Sequence, residues 1–337
     1  MNSSSLLSVA VVGLGVGEQH ALTYVRHPEC QLKWLYDYSP EQAKAVLAKV
    51  GQGGLADQYD VILDDPEIDI VSIASYDHLH YQEVIEAFRA RKNVFVEKPL
   101  CRTLDELREL KKVWIKHDKP HVVSNLVLRE AEVYRWLFNE IQAGTLGEIY
   151  AIDGDYLYGR LPKITEGWRN DVPDYSVMEG GGVHIIDLMM MMAQERPSTA
   201  HTLGNKICTR DTSFRYNDFM TTTFEFPSGI IGRVSANFGC VHRHHHVLRV
   251  FGTKASFIYD DMGPRLHSTR DEKTAPWMLN VATLPDGKGV LIPQFIASIL
   301  NNDDPTPAAE REFDLIAVCA AADRSQSEQK TVEIVYP

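Results

Sequence analysis

Two textures of hydrophobic patterning divide the chain. Through the first third, short unbroken apolar runs alternate with segments whose apolar residues recur at helical spacing. VAVV (9–12), IDIVSIA (68–74) and NVFVEK (93–98) are rich in β-branched residues and free of charge except toward their ends, the pattern of strands covered on both faces of a parallel sheet. Between the last two, HYQEVIEAFRARK sets Val84, Ile85 and Phe88 on one helical face. TLDELRELKKVWIKH then opens with Thr103 and Glu106 in capping-box spacing. HVVSNLV supplies a further strand near 121–127, and QLKWLYDYSPEQA (31–43) reads as a strand followed by a Ser39-Pro40 helix start. The alternation predicts a doubly wound βαβ array over roughly the first 125 residues.

From about Glu130 the texture changes. A helix over 130–142 stops at Gly144, and strand-like segments then dominate: EIYAIDGDYLY, TAHTLGNKI, FMTTTFEF, IIGRVSANF, HHVLRVFG and ASFIYD. PSG at 227–229 predicts a hairpin turn between two of them. Alternating small, polar and apolar residues predict an open, largely antiparallel sheet with one covered face. Helical stretches fall at 184–193, 293–301 and 308–324, and 269–290 is irregular enough to be the candidate mobile loop. The expected class is α/β, with a doubly wound, Rossmann-type parallel-sheet domain over 1–126 and a second α/β domain over 127–337.

The 337 residues exceed one usual domain and suffice for large cores. Thirty-four basic against 46 acidic residues leave a formal charge of −12, which argues against nucleic acid or an anionic membrane as the main partner. The five cysteines (Cys30, Cys101, Cys208, Cys240, Cys319) never fall in C-x-x-C spacing, so neither a disulfide framework nor a zinc knuckle is indicated and a reducing cytoplasm is expected. The apolar stretch after Ser5 has no basic residue ahead of it and runs into a glycine turn, unlike a signal core. No apolar run approaches membrane-spanning length.

That glycine turn is the first chemical signal. The strand ending at Val12 breaks into Gly13, Gly15, Val16 and Gly17, and a helical segment follows at once. Glycine there permits positive φ and lets the backbone approach a pyrophosphate seated on the orphan N–H groups of the helix start. The usual fingerprint has its third glycine where Glu18 stands, so Gly17 is assigned the close-packing role; a purely structural tight turn is the alternative. Asp37 ends the next strand 24 residues after Gly13, near the roughly 20 expected for the acid that accepts the adenosine ribose hydroxyls. No Lys or Arg follows between Tyr38 and Ala43, so NAD is favoured over NADP. The alternative is that Asp37 only caps a turn.

Farther on, Tyr156, Tyr158, Arg160, Lys163, Trp168, Arg169 and Tyr175 form an aromatic and cationic group suited to stacking on a sugar or pairing with an anion. Asn125 and Arg129 end the last strand of the first array. The run His242 to His246 invites a metal reading, but strand residues alternate faces and no Cys or Glu is spaced to close a site. No metal is expected, and a subunit-interface strand is preferred.

The ordered set of glycine turn, Asp37, IASYDHLHYQEVIEAFRARKNVFVEKPL, TLGEIYAI and GGGVHIID resembles the Gfo/Idh/MocA oxidoreductases, which include glucose-fructose oxidoreductase and inositol dehydrogenases. The resemblance spans nearly the whole chain. It implies NAD as cofactor, a carbohydrate-type substrate bound between the two domains, and a homodimer or homotetramer formed through the open sheet. Its E-K-P matches Glu97, Lys98 and Pro99, with Lys98 meeting the reacting hydroxyl and the Lys98–Pro99 bond often cis. Ser75, His80 and Glu97 join the cofactor contacts, His80 matching a histidine near the nicotinamide ribose. The G-x-H-x-x-D ending matches Gly182, His184 and Asp187, giving a proton-handling imidazole and a carboxylate for substrate hydroxyls. Many members carry an Asp four residues before this histidine; here that position is Gly180, with Glu179 beside it as a candidate substitute.

Together these readings predict a cytoplasmic NAD-dependent oxidoreductase that moves hydride between nicotinamide and a hydroxyl or carbonyl carbon of a sugar, cyclitol or nucleotide sugar. Lys98 and His184 carry the proton chemistry; Asp187, Asn125, Tyr158, Arg160, Trp168, Arg169 and Tyr175 bind substrate. Two rivals stand beside it: a non-redox relative that uses NAD transiently, and a non-catalytic NAD- and sugar-sensing regulator.

Overall fold

The computed structural model describes residues 6–337; the MNSSS segment ahead of the first apolar run lies outside the described residues. The chain forms two compact units. The first comprises residues up to Val127 together with Asp286–Ile316 and Pro337, and the second Leu128–Pro285 with Ala317–Tyr336.

In the first unit β1 (Leu7–Val12) leads through the glycine turn into α1 (Gly17–Arg26), followed by β2 (Cys30–Tyr36), α2 (Pro40–Val50), β3 (Gly54–Leu55), α3 (Tyr59–Leu63), β4 (Ile70–Ile73), α4 (His80–Arg89), β5 (Asn93–Val96), α5 (Leu104–Lys116) and β6 (Val122–Ser124). The strands form one parallel sheet in the order β3-β2-β1-β4-β5-β6. Sequence signals for these elements are local and reappear as geometry. Ser39 Oγ accepts from the Gln42 N–H ahead of Pro40, and Thr103 and Glu106 exchange both bonds of a capping box.

The second unit contains α6 (Glu132–Gln142), β7 (Ile149–Leu157), the one-turn α7 (Pro162–Thr165) and α8 (Trp168–Asp171), and α9 (Val183–Ala193). It continues with β8 (Thr199–Asn205), β9 (Phe219–Glu225), β10 (Ile231–Asn237), β11 (His245–Gly252), β12 (Ser256–Asp260), β13 (Gly263–His267) and β14 (Trp277–Met278). In the chain α10 (Ile292–Leu300) belongs to the first unit, α11 (Thr306–Glu328) has residues of both, and β15 (Val332–Glu333) of the second closes the order. The sheet runs β14-β13-β12-β11-β7-β10-β9-β8-β15, antiparallel except for β7 beside β10. The PSG hairpin joins β9 to β10, with Gly229 at φ +93°. On β7, Ile152, Gly154 and Tyr156 are buried; at Gly154 an added Cβ would meet Ile185 of α9 at 2.4 Å, so glycine lets helix and sheet close. From the alternate β7 positions Asp153 and Asp155 pair with Arg233 and Arg249.

Two features depart from the sequence reading. Residues 286–316, placed with the C-terminal domain, belong to the first unit: Ile292, Phe295 and Ile296 of α10 join Val11, Tyr24 and Phe95 in one buried cluster. The irregular 269–290 stretch carries β14, and Ala282 is held to α6, its N–H by Glu132 and its carbonyl by the Val133 N–H, 3.0 and 3.1 Å. No described helix is long and apolar enough to cross a membrane.

Candidate functional site

In the first unit the glycine turn is shaped by contact. Gly13 lies at φ +77°, and a Cβ there would sit 2.4 Å from the Ser75 backbone nitrogen, so a side chain is excluded twice over. Gly17 begins α1, where a Cβ would press on Val11 and Ala74 at 3.1 and 3.3 Å: it is the close-packing glycine. Nothing lies within 4 Å of a Cβ at Gly15, and Val16, the residue that caps α1, puts no side chain on its first N–H groups. An open backbone leading into an uncapped ten-residue helix presents backbone N–H groups of the kind that receive a phosphate. Asp37 stands beside it, its Oδ2 accepting from the Leu14 N–H at 2.6 Å and its Oδ1 from the Ser39 N–H at 2.8 Å. The carboxylate thus braces the turn, and each oxygen keeps a further lone pair for a ribose hydroxyl. These residues fit NAD.

Lys98 is half-buried just past the C-terminal end of β5, where ligands meet parallel sheets, and the Lys98–Pro99 bond is cis. The neighbours assigned to cofactor contact are turned to structural work. His80 is fully buried, with Nδ1 2.7 Å from the Pro99 carbonyl and Nε2 3.2 Å from the Ser75 carbonyl; its imidazole clasps the segment after Lys98. Ser75 Oγ is hydrogen-bonded to Glu83 on α4, whose carboxyl burial pushes up to about 7 against the hydrogen bonds from Ser75 and Tyr38. Glu97 and Asn125 point into the unit, where Asn125 Nδ2 donates to Glu97 Oε1 at 2.7 Å. Burial raises Glu97, but His20, with Asn125 and Lys98, outweighs it and holds the carboxyl at about 2.

In the second unit a π-helical turn, Met178–Gly182, delivers the chain into α9. Its three glycines lie close under their neighbours: an added Cβ would come within 2.2 Å of the Tyr175 hydroxyl at Gly180, 2.3 Å of the Tyr156 ring at Gly181 and 2.4 Å of the flexible Met178 Sδ at Gly182. His184, nearly buried, stacks on Tyr156 with centroids 5.9 Å apart and meets His246 edge-on at 6.3 Å. Tyr158 lies parallel to Tyr156, Phe238 is 4.6 Å from Tyr158, and His244 packs against both tyrosines. Arg160 lies 5.6 Å over Tyr158 and Arg169 lies 4.4 Å over Trp168, which meets Tyr175 edge-on.

The two carboxylates nearest His184 in sequence, Asp187 and Glu179, have other partners. Arg129 holds Asp187 in a two-pronged ion pair at 2.7–3.0 Å, so Asp187 is braced instead of presented openly to substrate hydroxyls. Glu179 is hydrogen-bonded to Asp323, which also accepts from Ser176 Oγ at 2.6 Å and which burial pushes up to about 6. The space of a side chain at 180 is taken by the Tyr175 hydroxyl.

The histidine run splits by face. His244 and His246 join His184 and Tyr156, whereas His245 packs on Tyr259 and approaches His242, itself bonded to Asp261 at 2.9 Å. Among the described residues no group of three or more His, Cys, Asp or Glu side chains is arranged to hold a metal ion. Sequence reasoning missed His244, His246, Phe238 and His20. Strand alternation is the signal that could have put His244 and His246 with Tyr156; His20 left none.

Comparison with known proteins agrees with this geometry. Residues 7–125 match the model described as oxidoreductase family, NAD-binding Rossmann fold, and 134–258 match the GFO/IDH/MocA C-terminal domain. Levoglucosan dehydrogenase of Pseudarthrobacter phenanthrenivorans is 23% identical over 75% of this chain and 73% of its own. Inositol 2-dehydrogenase/D-chiro-inositol 3-dehydrogenase of Lacticaseibacillus casei is 21% identical over 81% and 78%. A solved levoglucosan dehydrogenase in complex with NADH and L-sorbose superposes with TM-score 0.85 at 19% identity, covering 98% of this chain and 99% of that one. With both domain models matched in order, the chain belongs to the Gfo/Idh/MocA oxidoreductases and carries their NAD-binding Rossmann domain.

Proposed function

We propose that this NAD-dependent oxidoreductase acts on a secondary hydroxyl, or the matching carbonyl, of a sugar or cyclitol. Bound NAD(H) supplies the hydride acceptor or donor. The observation that carries the reading is Lys98, an ammonium at the carboxyl end of β5, following a phosphate cradle and a carboxylate of the right spacing. Its cation hydrogen-bonds the substrate oxygen and stabilises the charge that develops there as hydride moves. His184 exchanges the hydroxyl proton. Tyr158 and the half-buried His244, backed by the buried Tyr156 and Phe238, give a ring edge suited to the C–H face of a pyranose or cyclitol, and Arg160, Trp168, Arg169 and Tyr175 supply polar and cationic contacts. Gly13, Gly15, Val16, Gly17 and Asp37 bind NAD, with Asp37 on the ribose.

We place the domain roles as nucleotide binding for 1–126 and substrate binding and self-association for 127–337, with 286–316 serving the first. A cytoplasmic homodimer or homotetramer is part of the same proposal. The test is NADH formation, followed by absorbance, across a panel of cyclitols, anhydrosugars, free sugars, sugar acids and nucleotide sugars. Net NADH with one member of the first three classes is the expected result. Product formation without net NADH would instead identify transient cofactor use, and no turnover of any member would sink the enzymatic reading.

A further inference from the structure

Next to Lys98 the first unit holds a buried polar chain for which the proposed chemistry has no use. His20 of α1 is fully buried, with Nδ1 3.1 Å from Ser72 Oγ and Nε2 3.4 Å from Glu97 Oε1. Asn125 Nδ2 lies 3.2 Å from His20 Nε2 and donates to Glu97 Oε1 and to the Lys288 carbonyl, each at 2.7 Å. Phe95 packs edge-on against the imidazole at 5.2 Å, closing it from water. Five segments therefore meet in one polar network, α1, β4, the ends of β5 and β6, and the loop before α10, and two of its members, His20 and Asn125, reach the Glu97 carboxylate.

Taking an imidazole and a carboxylate out of water is costly, and apolar side chains of the same volume often fill such a place with no loss of stability. A buried network of this kind does offer direction, because several fixed hydrogen bonds allow one orientation where packing alone allows several. Glu97 is the residue before Lys98. Its N–H is bonded to the Ile73 carbonyl at 2.8 Å, and its side chain is pinned by His20 and Asn125. On the other side of Lys98, Pro99 is pinned through its carbonyl by the buried His80. Lys98 is thus held between two neighbours, each anchored by a buried histidine, and one anchor sits on the helix whose first turn forms the phosphate cradle.

We propose that His20 is a positioning residue: by fixing the Glu97 carboxylate it sets the direction in which Lys98 presents its ammonium group. The inference rests on the reading of Lys98 as the group that meets the substrate oxygen. Its test uses the full chain saturated with NAD, as wild type, His20→Gln and the isosteric Glu97→Gln, each confirmed folded by circular dichroism. Acylation of lysines by acetic anhydride, read by mass spectrometry, compares Lys98 with the exposed Lys116 and needs no turnover. The expected result is a Lys98/Lys116 labelling ratio changed by about threefold or more, with kcat lower by roughly tenfold to a hundredfold, as misplacement of a reacting group by about 1 Å costs. KM and NAD affinity should move by less than about threefold. An unchanged labelling ratio, or an unchanged kcat, in a folded variant overturns the inference. If His20→Gln does not fold, Glu97→Gln decides it alone. A changed ratio in an enzyme whose wild type turns over no panel member would leave Lys98 positioned by His20 and remove the functional reading instead.

Discussion

At the scale of single residues, the cofactor cradle gives the sharpest expectation. Asp37 places a carboxylate beside the turn with no basic residue in Tyr38–Ala43 to neutralise an extra phosphate, so NAD should bind at least about tenfold more tightly than NADP. Fluorescence titration of both cofactors checks this, and equal affinities would remove Asp37 from the ribose. Lys98→Met should leave NAD binding nearly intact while lowering kcat by roughly 10²–10⁴, the usual contribution of a positioned acid–base group. A Lys98→Met enzyme with normal turnover would show that the ammonium is not at the reacting oxygen. Tyr175 carries the third expectation. Its hydroxyl takes the side-chain space of Gly180, one turn ahead of His184, and helical side chains lean toward the N-terminal turn. With Asp187 held by Arg129 and Glu179 by Asp323, Tyr175→Phe should lower kcat and shift the pH–rate profile, whereas Glu179→Gln should change the profile little. The reverse pattern would return the role to Glu179.

At the scale of elements, what could be read from sequence was what short-range chemistry encodes. The β-branched runs, the Thr103–Glu106 capping box and the Gly13 turn each depend on residues within a few positions of one another, and each is found as read. The parts that escaped depend on distant partners. Nothing near Ile292, Phe295 and Ile296 says that they join the core of β1 and α1, and nothing near Asp187 announces Arg129, 58 residues away. His80 was assigned by resemblance to a cofactor contact because its two carbonyl partners, Ser75 and Pro99, come together only in the folded sheet. The glycines show how the same residue type serves opposite ends. At Gly181 a methyl would strike Tyr156 at 2.3 Å, so Gly181→Ala should cost about 1–3 kcal/mol by overpacking. At Gly15 a methyl meets nothing, so Gly15→Ala should alter stability by no more than about 0.5 kcal/mol yet weaken NAD binding. Thermal melting with and without NAD separates the two; a destabilised Gly15→Ala apoprotein would mean that the cradle is a structural turn.

At the scale of the whole molecule, the buried acids set how stability varies with pH. Glu83 is raised to about 7 and Asp323 to about 6 in the folded protein, each chiefly by burial. A folded protein that holds a proton where the unfolded chain has released it loses stability as pH rises, so these groups weaken the fold progressively from near their unfolded values of about 4 up to their folded ones. Glu97 acts in the opposite sense. Burial alone would raise it, but His20 and Asn125 hold it at about 2, so its contribution is full above the unfolded value and is lost as pH falls through the folded one. Asp65 and Asp260, also near 2, add to the acid side, the first through Lys33 and Trp34 against its own burial and the second through Arg265. Burial also lowers the imidazoles of His78, His121 and His245, which favours higher pH, but the larger shifts at Glu83 and Asp323 outweigh them between pH 5 and pH 8. Urea unfolding at pH 5 and pH 8 should give a higher midpoint at pH 5. Glu83→Gln, which keeps the shape but has no proton to lose, should shrink that difference. The span available at Glu83, from its ordinary carboxyl range up to about 7, is on the order of 3 kcal/mol. If Glu83→Gln left the pH 5 to pH 8 difference unchanged, the Glu83 carboxyl would be ionised in the folded protein at no cost, and its bonds to Ser75 and Tyr38 would have to outweigh its burial.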